Sequence, residues 1–598
     1  MKKFDVIVIG GGHAGCEAAH ASALTGARTL LLTLNLDTIG ETPCNPSMGG
    51  PGKSQIIREI DVFSGLLPKV TDRTLIQIRM LNTKGGPAVH SLRAQVDRDL
   101  YRTEMKKELE NTCDLLLRQG EVKDLILEKG RVAGVKTREG SDILCSKVII
   151  CTGTFLNGKI FVGDTEYSAG RYGEKGSYSL TDTLLKNGFD IIRLKTGTTP
   201  RLKGSTIDFS VLKEQKSEDP DVWFSYSEPK NHLAGISCHI AHTNGKTHDI
   251  IRQNIDRSPL YQGMIQGTGP RYCPSIEDKV IRFFNKTSHK IFLEPEGRNN
   301  DEYYMQGFST SLPEDIQESM IRSVEGLEDV HIYKPGYAVE YDCIDPRQLG
   351  NTLESRKIKG LYFAGQVNGT SGYEEAAGQG LIAGINASLS LKSGRTFVLK
   401  REESYIGTLI NDLTLKGIES EPYRMFTSRM DHRMSVRQDN AHLRLFRYSE
   451  ELGLIDKDMC SGLKESEKNI KKIIQRLQKN RVGGKTYYDM LKRQDKKLKD
   501  YYGIWEDIPL FYEEETNIEC MIKYEGYIRS AEKHLRMNSE WYDIKIPEKI
   551  KYSDIKTITI EARQKLEKAR PEKIGDISRI SGISAADITN IIVYIKKQ

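Results

Sequence analysis

Two cysteines stand in loops stiff enough to aim a thiol. Cys44 lies in GETPCNPSMGGPGKS, residues 40–54, between Pro43 and the Asn45–Pro46 pair. Cys273 lies in GTGPRYCPSIEDK, residues 267–279, with Arg271 and Tyr272 before it and Pro274 after it. A flavin-linked redox disulfide puts a second cysteine a few residues on, whereas the next one after Cys44 is Cys113. Cys44 is therefore a candidate lone nucleophile or proton-transfer group, against the plainer alternative of a small buried apolar side chain. At the second loop Arg271 and Lys279 favour the thiolate, and Glu277 and Asp278 oppose it.

A further constellation suits phosphate. In FDVIVIGGGHAG, residues 4–15, an apolar strand runs into Gly10, Gly12 and Gly15, the G-x-G-x-x-G spacing. The first glycine permits a tight turn, the second lets backbone approach a pyrophosphate, and the third lets helix pack on strand. The helix that follows points its unpaired N–H groups and positive dipole end at the phosphates. With RTLLLT as the next strand, the whole reads as a βαβ unit that binds a dinucleotide. One usual part is missing. The ribose carboxylate expected about twenty residues on falls on Thr33, with no acid before Asp37, so Thr33 or Asn35 is left to hold the ribose. The nearby GGPGKS imitates a P-loop, but Ser47 stands where that pattern needs glycine and no strand precedes it, so no nucleoside triphosphate site is expected. Loops at 170–179, 193–202 and 242–254 mix glycine, hydroxyls and cations, and together they predict a large polar ligand.

Between 421 and 445 the chain carries Arg424, Arg429, Arg433, Arg437 and Arg444, with Tyr423, Phe426 and His432 among them. The four-residue spacing of the middle three predicts a helix with one arginine face. Phosphate contacts with base stacking suit that mixture, which makes Arg424, Arg429, Arg433 and Arg437 candidate nucleic-acid contacts. Internal ion pairs with Glu421, Asp431 and Asp439 are the alternative. Residues 461–500 add 13 Lys and Arg against five Asp and Glu, a basic helical surface or simply a solvated face.

The elements that must position these groups follow from the wider pattern. At 598 residues, 38% hydrophobic and 28% charged, the chain has enough material for several cores and is not disordered. No apolar run reaches bilayer length, and Asp5 interrupts the N-terminal run as a signal peptide, so a cytoplasmic protein is expected. The 10 cysteines are scattered, which points to neither a disulfide framework nor a metal site. A net charge of +6 leaves any nucleic-acid surface to local clustering. The α/β pattern closes near 150 with KVIICTGTF and returns at 359 as KGLYFAGQVNG followed by SGYEEAAGQGLIAGINAS. Such a return is the layout of a two-part FAD domain, whose second segment closes the sheet and lays a helix N-terminus near the flavin. The fold class expected is therefore α/β, a two-part Rossmann-like FAD domain of the glutathione-reductase type with an inserted α+β domain and a helical C-terminal region. The limits expected are 1–154 and 346–400 for the two FAD parts, 155–345 for the insert and 401–598 for the helical region.

The strings GGGHAG, CNPSMGG, RLKTGT, HTNGKTHDIIRQNIDRSP, GPRYCPSIEDK, FLEPEG, PGYAVEYD, FAGQVNGTSGYEEAAGQG, EPYRMFTSR and KYEGYI, with IGDISRISGISAADI near the C-terminus, resemble one family along nearly the whole chain. It is the GidA/MnmG family, the FAD-dependent tRNA uridine 5-carboxymethylaminomethyl modification enzymes. The resemblance implies that Gly10, Gly11, Gly12, His13, Ala14 and Gly15 hold FAD, together with Val122, Ser177 and Gln366. It implies an NADH segment from Gly269 through Pro270, Arg271, Tyr272, Cys273, Pro274, Ser275, Ile276, Glu277, Asp278, Lys279, Val280, Ile281 and Arg282 to Phe283. The one-carbon unit then comes from methylenetetrahydrofolate by way of the reduced flavin, and glycine or ammonium supplies the nitrogen. Cys44 and Cys273 match the family's two cysteines, one adding to uracil carbon-6 and the other handling a proton. The partners implied are tRNA and a GTPase docked on the C-terminal helices, with a homodimer inside a heterotetramer and no membrane. Three alternatives stand beside this, one of them a non-catalytic flavin-bound RNA scaffold. The shorter folate-dependent tRNA uridine 5-methyltransferase flavoprotein lacks a helical C-terminal third, and a plain flavin oxidoreductase leaves the arginine stripe unexplained.

Overall fold

The computed structural model describes residues 3–218, 222–226, 235–272, 274–418, 421–510, 512–542, 544–547 and 549–597. Strands β1 (Val6–Ile9), β2 (Thr29–Thr33), β3 (Leu115–Gln119), β4 (Lys147–Ile150) and β5 (Leu361–Phe363) form a parallel sheet in the order β5-β4-β1-β2-β3. β1, at its centre, is an unbroken apolar run, as a strand covered on both faces requires. Helix α1 (His13–Leu24) leaves the end of β1, α2 (Ser54–Val62) follows the Cys44 loop, and α3 (Tyr373–Lys392) follows β5. The small residues of α1 and α3 serve a close parallel crossing. A Cβ added at Gly380 would lie 2.0 Å from the Ala14 carbonyl oxygen, and one at Gly384 would lie 2.3 Å from that of Ala18. The late-arriving strand and helix thus lock onto the first βαβ unit, as the second α/β segment in the sequence predicted.

Between β4 and β5 in sequence the chain builds two antiparallel sheets. One has four strands, including Ile191–Thr198 and Tyr337–Ile344; the other has six and its own core around Leu202, Ile251, Val280, Leu293 and Met305. Beyond β5 the chain is mainly helical, with α4 (Tyr405–Lys416), α5 (Ala441–Leu452), α6 (Lys457–Lys479) and α7 (Tyr512–Lys523). A last small core centres on Tyr552, Leu566 and Ile577. No helix among the described residues is long and apolar enough to cross a membrane.

The helix predicted from the arginine spacing does not form. Residues 421–440 make two short 3-10 turns, Thr427–Arg429 and Gln438–Asn440, in otherwise irregular chain. Backbone donors that a helix would use are committed elsewhere, Met425 N–H to Glu375 Oε1 (2.8 Å) and Arg437 N–H to Asn440 Oδ1 (3.1 Å).

Candidate functional site

A cavity of about 440 Å³ opens at the carboxyl ends of the parallel strands, where Gly10, Gly11, Gly12, His13 and Ala14 meet the start of α3. That is where open α/β sheets bind ligands. Gly10 has φ +106°, and a Cβ there would sit 2.4 Å from the Cys151 carbonyl oxygen. Gly15 lies behind the turn, where a Cβ would fall 1.7 Å from the Gly10 carbonyl oxygen. At Gly12, by contrast, a Cβ would meet nothing within 4 Å, so the open side of the turn faces the cavity. Gly15→Ala is expected to distort this turn. The purified variant should lose its flavin absorbance band, and a variant that keeps full flavin content would contradict the assignment.

Two buried polar atoms on the cavity wall, His13 Nε2 and Thr152 Oγ1, have no hydrogen-bond partner among the described residues. Burial holds the His13 pKa down at about 4, against the opposite pull of Glu41, so the ring is neutral. An open glycine turn, a helix N-terminus and orphaned polar atoms together fit a dinucleotide with the reach of FAD. Val122, Ser177 and Gln366 line the same cavity. At the ribose end Thr33 and Asn35 are both on the wall, although Asn35 Oδ1 already accepts from Asp37 N–H at 2.9 Å. The carboxylate nearby is Glu121, just past the end of β3, where Gly120 N–H donates to the Thr33 carbonyl at 2.9 Å. Looking for an acid only along β2 misses it, because its strand is a neighbour in the sheet and not in the sequence.

Cys44 lies on the cavity wall. Its loop is tied down from the inserted domain, with Arg201 Nη2 donating to the Pro43 carbonyl at 2.8 Å. Lys53, the lysine of the P-loop imitation, bonds the buried Glu375 carboxylate and lies 3.9 Å from that of Glu374. It is spent on the acidic start of α3. Glu374 accepts from Gly49 N–H at 2.7 Å, and burial pushes its carboxyl up despite the attraction of Lys53.

Cys273 lies outside the described residues. None of the described residues of 269–283 lines the cavity. The segment continues as the short helix Ile276–Arg282, whose Ile276, Glu277 and Val280 are buried in the inserted domain. Its other end reaches the cavity rim. Arg271 N–H donates to Glu421 Oε2 at 2.6 Å, and the Tyr272 ring lies 4.7 Å from that of Phe426, a cavity residue.

Of the four candidate arginines, Arg424 reaches the cavity, and the Arg429 guanidinium covers the Tyr423 ring at 4.5 Å. Arg433 is half-buried. Arg437 does not face a ligand as its spacing predicted. It is 1% exposed, its guanidinium bonding Asp439 at 2.9 Å and Asn517 Oδ1 at 2.7 Å, so it is a structural ion pair and not a phosphate contact.

A split parallel sheet, a phosphate turn at the end of its first strand and a second segment that closes the cavity define a Rossmann-type FAD-binding protein. Residues 5–395 match the family "Glucose inhibited division protein A", and residues 536–598 match the "tRNA modifying enzyme MnmG/GidA C-terminal helical bundle". The chain belongs to the GidA/MnmG family. It is 46% identical to the tRNA uridine 5-carboxymethylaminomethyl modification enzyme MnmG of Clostridium botulinum, over 100% of this chain and 98% of that protein. The Bacillus cereus enzyme of the same name is also 46% identical, over 99% and 98%. Aquifex aeolicus GidA in its form II crystal superposes with a TM-score of 0.93 at 44% identity, over 99% of this chain and 98% of that one.

Proposed function

We propose that this chain modifies the wobble uridine of tRNA at carbon-5, giving 5-carboxymethylaminomethyl- or 5-aminomethyluridine. The observation that carries this reading is the presence of Cys44 on the same cavity wall as the phosphate turn. Bound FAD supplies the redox chemistry, with NADH as reductant and methylenetetrahydrofolate as the carbon source. The protein's own contribution starts from a difficulty: carbon-5 of uracil is a poor nucleophile. A thiolate that adds at carbon-6 pushes electron density onto carbon-5, which then attacks an electrophilic carbon. Loss of the carbon-5 proton expels the thiolate and restores the ring. Cys44 and Cys273 share the nucleophilic and proton-handling roles, and the glycine turn with Val122, Ser177 and Gln366 holds the cofactor.

The Gly269–Phe283 segment takes NADH from the rim, where Tyr272 meets Phe426. Arg424, Arg429 and Arg433 remain as tRNA contacts. The protein acts as a homodimer, with the helical region from 401 onward receiving a GTPase partner in a heterotetramer. The test is reconstitution with purified protein, undermodified tRNA, NADH, methylenetetrahydrofolate, an amine donor and the GTPase with GTP. The modified wobble nucleoside should form only in the full mixture. Equal yield without the GTPase would overturn the partner assignment, and ribothymidine as the product would overturn the reaction.

A further inference from the structure

Cys44 and Tyr373 are 329 residues apart in sequence, yet the Tyr373 phenol oxygen accepts Cys44 N–H at 2.7 Å and Asn45 N–H at 3.1 Å. The same hydroxyl donates to the Asn45 carbonyl at 3.3 Å. All the bonding capacity of the hydroxyl is thus spent on the backbone of the cysteine loop. The ring on which it rides stacks on His13 of the phosphate turn at 4.5 Å, and Tyr373 is the first residue of α3. Tyr373, His13 and Cys44 all line the cavity. One side chain therefore joins the three pieces that the reaction needs in register: the cofactor turn, the closing helix and the cysteine loop.

We propose that Tyr373 is the positioning residue for Cys44, fixing where the thiol stands relative to the bound flavin. This deepens the reading of Cys44 as a reactive group and rests on it. Tyr373 transfers no proton. Burial, reinforced by the neighbouring Cys44, pushes its phenol well above the usual range, so it stays neutral and keeps the donor that holds Asn45. Removing the hydroxyl leaves two loop N–H groups without their acceptor while the His13 stack and the cofactor turn remain. The loop then settles in another position, and a displacement of about 1 Å costs up to about 10²-fold in rate.

The test compares Tyr373→Phe and Cys44→Ser with the full-length wild-type protein. For Tyr373→Phe the expected result is tRNA-modification kcat lowered about tenfold or more by misplacement, with KM for tRNA unchanged. Flavin content and the rate of flavin reduction by NADH, followed by stopped-flow absorbance, should match wild type. A role confined to packing would lower flavin content or flavin reduction in parallel with turnover, and that result would overturn the proposal. So would full turnover in Tyr373→Phe. If Cys44→Ser is inactive while Tyr373→Phe is fully active, the positioning proposal alone fails. If Cys44→Ser keeps full turnover, the underlying assignment of Cys44 fails and takes the proposal with it.

Discussion

Cys44→Ser is expected to abolish tRNA modification while leaving the flavin in place. A lost proton-transfer group costs roughly 10²–10⁴-fold, and loss of the nucleophile costs at least as much, because a serine hydroxyl ionises far less readily than a thiol. The flavin should stay because the cofactor turn makes its own contacts. Gly10 is set by the Cys151 carbonyl, and the cysteine loop is held through backbone, by Arg201 on the Pro43 carbonyl and Tyr373 on two N–H groups. Serine removes none of these. Nucleoside analysis of the product and the flavin absorbance of the same preparation are the two readouts. Turnover within a few-fold of wild type would remove Cys44 from the chemistry, and loss of flavin would make it part of the cradle.

The second large effect is on stability, at Arg58→Met. Arg58 is on α2, 2% exposed, and its Nη1 donates to the carbonyls of Trp223 and Phe224, both at 2.9 Å. Its Nη2 bonds both oxygens of Glu513 on α7, at 2.8 and 2.6 Å. The pair therefore clamps the helical C-terminal region onto α2, the helix that begins next to Lys53 of the cavity wall. Removing the cation strands Glu513 and two buried carbonyls, which for a broken buried pair costs roughly 3–5 kcal/mol. Burial already pushes the Glu513 pKa up to about 7 against the attraction of Arg58. A carboxyl whose folded pKa is raised binds its proton more tightly when folded. That stabilisation is present below the unfolded carboxyl range and is lost as pH rises through the folded pKa. Without Arg58 the folded pKa climbs further, so the deficit in unfolding temperature should be largest near about pH 8 and shrink toward about pH 5. A deficit independent of pH would rule out an uncompensated Glu513 charge as its cause.

The cofactor turn was legible in the sequence because its requirements are local. Gly15 must pass the Gly10 carbonyl within six consecutive residues, Gly10 needs a positive φ for the turn, Gly12 leaves its cavity side open, and a strand and a helix flank them. The closing segment was legible for a related reason, since the glycines of α3 record how closely it crosses α1. The arginine face was misread because a spacing of four is compatible with helix without requiring it. Glu375 and Asn440 claim the backbone donors of Met425 and Arg437, and Asp439 draws the Arg437 side chain inward from two positions away. Tyr373 and Glu121 left no readable signal. Each acts on residues that only the sheet and the α1–α3 crossing bring near, and neither belongs to a local spacing rule.

The cavity holding Cys44 is assigned the modification of wobble uridine at carbon-5. The most direct test of that assignment is nucleoside analysis of bulk tRNA from a strain lacking this gene, complemented with wild type or with Cys44→Ser. The 5-carboxymethylaminomethyl- or 5-aminomethyl-type wobble nucleosides are expected to vanish in the deletion, return with wild type and stay absent with Cys44→Ser, while ribothymidine is unchanged throughout. Loss of ribothymidine with intact wobble nucleosides, or full restoration by Cys44→Ser, would contradict it.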